Sequence, residues 1–129
     1  MDPRNVFILD SLLQEVVKSG TATRALQLGR GDLAGKTGTT NDSHDAWFAG
    51  YGGNISAVAW VGYDQPRKLG DRETGGGLAL PIWMDYMKTA LAKAPPQTRV
   101  MPNGVLNING EYFTQESRPG VGIASVGLR

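Results

Sequence analysis

The chain has no cysteine and a single histidine, His44. Disulfide scaffolds, zinc fingers and iron–sulfur clusters are therefore excluded, because each needs several such ligands. No run of 18 apolar residues occurs, so no segment of the 129 residues reads as a membrane-spanning helix. No basic-then-apolar stretch opens the chain, so no targeting signal is read. Charge of either sign is in short supply: 13 Lys+Arg against 12 Asp+Glu leaves +1, with the basic residues scattered from Arg4 to Arg129. Nothing in that distribution tracks a phosphate backbone, so no nucleic-acid partner is expected.

Glycine, by contrast, is abundant, with 18 of 129 residues, about twice the usual ~7%. Its spacing has no collagen period and 40% of the chain is apolar, so the composition is that of a globular protein rich in tight turns and close backbone approaches. The length suits one domain with a real core.

Local patterns predict an α+β chain. Asp2 is a good N-cap and Pro3 fits the first helical position, where its missing N–H costs nothing. Leu9, Leu12, Leu13, Val16 and Val17 recur on one helical face, and Gly20 is the expected left-handed stop after Ser19. The run from Leu33 to Thr39, bounded by glycines, reads as a strand. Asp45–Tyr51 and Ile55–Tyr63, joined by Gly52-Gly53-Asn54, read as an antiparallel hairpin. Because both faces of Ile55–Tyr63 carry apolar side chains, that strand is expected to be covered on both sides. Gln65–Gly77 reads as a loop, and Pro81 to about Lys93 as a second helix, with Trp83, Met87, Ala90 and Leu91 on one face, stopped by Ala94-Pro95-Pro96. Val105–Ile108 and Glu111–Thr114 flank Asn109-Gly110, a strong hairpin signal, and residues from Ser117 read as a tail. Trp47, Phe48, Trp60 and Trp83 are expected in the core.

The segment Gly29–Thr39 invites three functional readings. A phosphate-binding loop needs glycine five positions before Gly35, where Arg30 stands, and a strand-to-helix setting that is missing. Arg30-Gly31-Asp32 resembles an adhesion tripeptide but reads better as a turn feeding a strand. The third reading is Lys36-Thr37-Gly38, the K-T-G element of penicillin-recognising serine enzymes. On an edge strand, Lys36 offers an ammonium group to a carboxylate, Thr37 and Thr39 offer hydroxyls from one face, and Gly38 admits a close-lying substrate backbone. The N–H of Thr39 is placed to support an oxyanion.

The surrounding blocks turn that reading from one of several into the leading one. Gly20-Thr21-Ala22, Ala34–Asp42, Asp45–Tyr51, Ala59–Asp64 and Thr74–Gly77 leading to Ala79–Trp83 together resemble the class A, bifunctional penicillin-binding proteins, most of all their 1A type in Gram-negative bacteria. The resemblance runs from about Asp2 to Ala94, and Val105–Thr114 resembles that group's C-terminal extension. It implies a β-lactamase-like, penicillin-recognising transpeptidase fold: helix, three-stranded antiparallel meander, helix, irregular tail. Residues 1–94 would then be the C-terminal portion of the transpeptidase domain and 95–129 the extension. It implies a D,D-transpeptidase that cross-links peptidoglycan stem peptides and is trapped by β-lactams. Lys36, Thr37, Gly38 and Thr39 would bind the substrate carboxylate and support the oxyanion; Asp45, Trp47 and Tyr51 would be scaffold. No cofactor or metal is implied. The parent would be anchored by an upstream transmembrane helix at the periplasmic face of the inner membrane, with a glycosyltransferase half elsewhere.

The family's other two motifs do not occur in the chain. An S-x-x-K nucleophile would need lysine three residues after a serine, and Ser11, Ser19, Ser43, Ser56, Ser117 and Ser125 are followed there by Gln14, Ala22, Ala46, Ala59, Gly120 and Leu128. At two residues on, where S-x-N needs asparagine, stand Leu13, Thr21, Asp45, Val58, Pro119 and Gly127. The 129 residues alone are therefore expected to be inactive, since a K-T-G strand orients a carboxylate but cannot acylate. The alternative is a non-catalytic binding or interaction module built on the same fold. His44 lies in a polar turn without a nucleophile, and Asp42 with Asp45 fall short of a calcium ligand set. In the family the Ile55–Tyr63 strand pairs with one from before the nucleophile, so an open hydrophobic edge is expected here, inviting a homodimer, strand exchange or pairing with the 105–114 hairpin.

Overall fold

The computed structural model describes residues 1–70 and 74–120. Their contacts separate into two compact units, one within residues 12–98 and one of residues 1–11 with 99–120. Each is described by itself; residues 121–129, which hold most of the expected tail, lie outside the described residues, as do 71–73 of the expected loop.

The element order is helix, three strands, helix, two strands. Helix α1 is Pro3–Lys18, strands β1, β2 and β3 are Ala34–Thr39, Asp45–Gly52 and Ile55–Gly62, helix α2 is Leu80–Ala90, and β4 and β5 are Val105–Ile108 and Glu111–Thr114. Strands β1, β2 and β3 form an antiparallel meander in that order. This is the expected α+β architecture. Two short elements escaped the sequence patterns: a 3₁₀ helix at Thr23–Leu28 and a π turn at Gly75–Ala79, where a plain loop was expected.

In the larger unit, Phe48, Leu33, Leu80, Trp83, Met87 and Val17 are almost fully buried. The sheet's register explains how α2 reaches the strands. Gly35 and Gly50 are cross-strand partners on the covered face. A Cβ on Gly50 would come within 2.9 Å of Trp83 Cζ2 and 2.8 Å of the Ala34 carbonyl, so only glycine lets the indole lie against the ladder. Trp83 meets Phe48 edge to face, with ring centroids 4.9 Å apart, and its Nε1–H donates to the Ala57 carbonyl at 3.1 Å. The indole thus joins β2 and β3 to α2 through packing and a satisfied polar tip.

Strand β3 corrects one expectation. Its burial alternates: Ile55, Ala57, Ala59 and Val61 face the core, whereas Ser56, Val58 and Trp60 are exposed. Within the larger unit the strand is covered on one side, because both α2 and the π turn pack on the same face. Trp47 and Trp60 accordingly pair on the open face, 6.2 Å between centroids, and are exposed rather than core. The Val105–Thr114 hairpin forms its own two-stranded sheet and does not extend β3.

Helix α1 is capped as its sequence predicts, the Asp2 carboxylate accepting from the Arg4 N–H at 2.9 Å. Its end differs. Gly20 takes no left-handed conformation; instead the Ser19 and Gly20 N–H groups reach back to the Glu15 carbonyl. Leu9 and Leu12, read as part of the apolar face, are exposed, while Val17 is buried. Helix α2 starts one residue earlier and ends three earlier than expected, at Ala90, with Leu91 still buried beneath the following turn.

The smaller unit is built on the hairpin. Asn109 and Gly110 both take positive φ, 54° and 87°, the conformation of a tight two-residue hairpin turn. Phe7 meets Tyr112 edge to face at 5.0 Å, Arg4 joins Asp2 at 2.8 Å and Glu116 at 3.2 Å, and Arg99 joins the buried Asp10 at 3.2 Å.

Candidate functional site

Strand β1 carries the Lys36-Thr37-Gly38-Thr39 run along the free edge of the meander. Its pairing partners on β2 are Ala49, Phe48, Trp47 and Ala46 in turn. The strand alternation divides the four residues. Lys36 and Gly38 belong to the open face, beside Trp47; Thr37 and Thr39 belong to the face on which the π turn lies.

Lys36 is exposed, and its Nζ lies 3.1 Å from the Thr37 carbonyl and 3.4 Å from Thr37 Oγ1. No carboxylate pairs with it in these bonds, so its charge faces solvent along the strand edge. Thr37 Oγ1 lies 3.1 Å from Thr21 Oγ1, which comes from the turn after α1. Thr39 Oγ1 accepts from the Gly75 N–H at 3.0 Å. The two hydroxyls are therefore held by two neighbouring segments, Thr37 by Thr21 in the turn after α1 and Thr39 by the π turn. Thr21 and Gly75 stand in two of the blocks that carry the resemblance, Gly20–Ala22 and Thr74–Gly77, but nothing in the sequence assigns either of them a role at this edge.

Gly38 is less constrained than its neighbours. A Cβ there would stand 3.4 Å from Trp47 Cβ, an ordinary contact. The strand's own packing therefore does not require glycine at 38.

The residues around this edge are fixed by local bonds. Thr40 Oγ1 accepts from the N–H groups of His44 and Asp45, both at 3.0 Å, closing the β1–β2 turn. Asp45 Oδ1 accepts from Trp60 Nε1 at 2.9 Å, which aligns the exposed tryptophan pair. At the far end of β1, Arg30 and Asp32 form a bidentate pair with both bonds at 3.0 Å. Asp32 also accepts from the Gly53 N–H at 2.7 Å and the Gln97 N–H at 3.0 Å, while Arg30 donates to the Ala94 carbonyl at 2.6 Å. Burial pushes the Asp32 carboxyl upward, but the bonds from Arg30, Gln97 and Gly53 outweigh it and hold it below its ordinary value. The tripeptide is thus a structural clamp, consistent with its reading as a turn feeding a strand.

No family model matches the chain. A crystal structure of penicillin-binding protein 1A from Haemophilus influenzae superposes with a TM-score of 0.85 at 34% identity, over 92% of this chain and 21% of that one. The fold is that of the penicillin-recognising transpeptidases. Curated relatives narrow this further. The chain is 50% identical to penicillin-binding protein 1A of Pseudomonas aeruginosa over 117 residues, 91% of this chain and 14% of that protein. It is 43% identical to the protein of the same name from Neisseria gonorrhoeae over 131 aligned positions, 99% of this chain and 16% of that protein. The chain belongs to the penicillin-binding protein 1A family, as a piece of its transpeptidase domain, and spans 14% to 16% of the length of these relatives.

Proposed function

We propose that the chain supplies the carboxylate-binding edge of a serine D,D-transpeptidase that cross-links peptidoglycan stem peptides in the bacterial cell wall. One observation carries this reading: Lys36, Thr37, Gly38 and Thr39 lie on a free strand edge, with an exposed ammonium group and two anchored hydroxyls. A carboxylate needs such donors, and charge-assisted bonds are the stronger kind. The backbone N–H of Thr39 supports the oxyanion as the serine attacks. The nucleophile belongs to the rest of the domain, since no serine of this chain is followed by lysine at the third position. Residues 1–94 are assigned to the transpeptidase domain and 95–129 to an extension. Stem peptides and β-lactams are the ligands, and no cofactor enters the scheme. The setting is the periplasmic face of the inner membrane, with the anchor and a glycosyltransferase half in the parent; among the described residues no helix is long and apolar enough to cross a membrane.

Fluorescent penicillin tests the assignment. The full-length enzyme is expected to take a covalent label and the 129-residue chain none. Lys36→Ala in the full-length enzyme is expected to slow labelling by about 10- to 100-fold, the worth of one charge-assisted bond. Undiminished labelling of that variant would refute the role of the strand. Stable labelling of the 129 residues alone would refute the missing nucleophile. Saturable binding of an unrelated ligand by the isolated chain, with no labelling of the parent, would favour an interaction module.

The free edge of β3 has a second consequence. Ile55–Gly62 contains no charge and no proline, and Val58 is 64% exposed. Such an edge recruits other strands. The isolated chain is expected to self-associate, and Val58→Lys to shift it toward monomer, as read by light scattering on a sizing column. A wild-type chain that stays monomeric at high concentration contradicts this.

A further inference from the structure

Thr39 has a partner whose geometry does more than hold it still. Its Oγ1 accepts from the Gly75 N–H at 3.0 Å. That bond fills one of the hydroxyl's two acceptor sites and fixes the oxygen, which leaves its proton free to donate. Thr39 is therefore set as a donor toward whatever lies along the β1 edge. A carboxylate accepts that proton at either oxygen and with its charge; a carboxamide accepts it only at its neutral carbonyl oxygen, and its NH2 does not.

Gly75 can do this because it lies against the ladder itself. It is buried, and a Cβ there would come within 2.9 Å of the Gly38 carbonyl and 3.0 Å of the Gly38 nitrogen, and closer still to the Trp47 carbonyl. Any side chain would lift the π turn off the β1–β2 pair. The turn is fixed from its other side by Thr74, whose Oγ1 accepts from the Gly77 N–H at 3.2 Å. Two independent features converge on one function: a bond that orients the hydroxyl, and a close approach that only glycine permits.

We infer that Gly75 is a positioning residue that sets the Thr39 hydroxyl as a donor, and so makes this edge select a carboxylate over the neutral carboxamide. This rests on the proposed carboxylate-binding role of β1.

The test uses the full-length enzyme in four forms: wild type, Gly75→Ala, Thr39→Val and the double variant. The second-order acylation rate is measured with a penicillin and with the same penicillin carrying a carboxamide in place of its carboxylate. Gly75→Ala is expected to lower the acid-over-amide preference by about 10-fold, with the amide rate little changed. On the Thr39→Val background it should lower the preference no further. A general loss of folding would reduce both rates together and leave the ratio alone. Hydrogen exchange provides a readout that does not depend on the glycine variant folding: the Gly75 amide should exchange faster in Thr39→Val than in wild type. An unaltered preference in folded Gly75→Ala, or unaltered Gly75 protection in Thr39→Val, overturns the inference. A wild-type enzyme without any acid-over-amide preference overturns the carboxylate reading beneath it, and is distinguishable because the Gly75 exchange effect would persist.

Discussion

Trp83→Ala is expected to destabilise the larger unit by about 4 kcal/mol, the usual cost of truncating a buried aromatic ring. Three losses add in the same direction. The indole is 1% exposed, so its removal leaves a cavity rather than a surface dent. Its edge-to-face contact with Phe48, at 4.9 Å, disappears. The Ala57 carbonyl loses its donor at 3.1 Å. The neighbourhood cannot collapse to compensate, because Gly35 and Gly50 offer no side chains to fill the space. Against a total stability of ~5–15 kcal/mol for a domain, this is enough to populate the unfolded state. Trp83→Phe separates the terms: it keeps most of the ring and loses the N–H, and should cost about 1–2 kcal/mol. Urea midpoints followed by circular dichroism measure both. A Trp83→Ala cost below about 1 kcal/mol would mean that α2 is not packed on the sheet as described.

The elements whose signals are local were legible in the sequence. Asp2 and Pro3 start α1, Asn109-Gly110 turns the second hairpin, and Gly53 turns the first, with φ 54°. Each depends on backbone preferences within four residues. The K-T-G strand was legible for a similar reason: its residues are consecutive, and alternation assigns their faces. What was illegible depends on elements far apart in the chain. Whether Trp60 faces solvent is decided by where α2 packs, not by the apolar pattern of β3, which is nearly the same on both faces. Thr21 meets Thr37 across 16 residues and Gly75 meets Thr39 across 36. No periodicity encodes such pairs. Three glycines signal irregular backbone, so the π turn reads as loop, and only the tertiary contact with the β1–β2 pair shows why Gly75 is needed.

Asp32→Ala is expected to cost about 3–5 kcal/mol, the penalty for breaking a buried ion pair from one side. The carboxylate is 5% exposed and the Arg30 side chain 11%, so neither charge is well solvated. Removing Asp32 strands the guanidinium beside the Ala94 carbonyl, which cannot neutralise it. It also leaves the N–H groups of Gly53 and Gln97 without their acceptor. Those two lie in the β2–β3 turn and in the segment after α2, so one side chain ties three separate stretches of chain. The pH dependence follows from the lowered carboxyl. An unfolded aspartate titrates near pH ~3.9. With the folded value below that, the stabilisation is fully present above the unfolded pKa and is lost as pH falls through the folded one. Asp32→Asn, which keeps the shape and removes the charge, should therefore be less stable than wild type at about pH 6, and the gap should narrow by about pH 2. Urea midpoints at the two pH values give the comparison. A gap that stays constant would show that the clamp's worth lies in its shape and hydrogen bonds, not in the charge of Asp32.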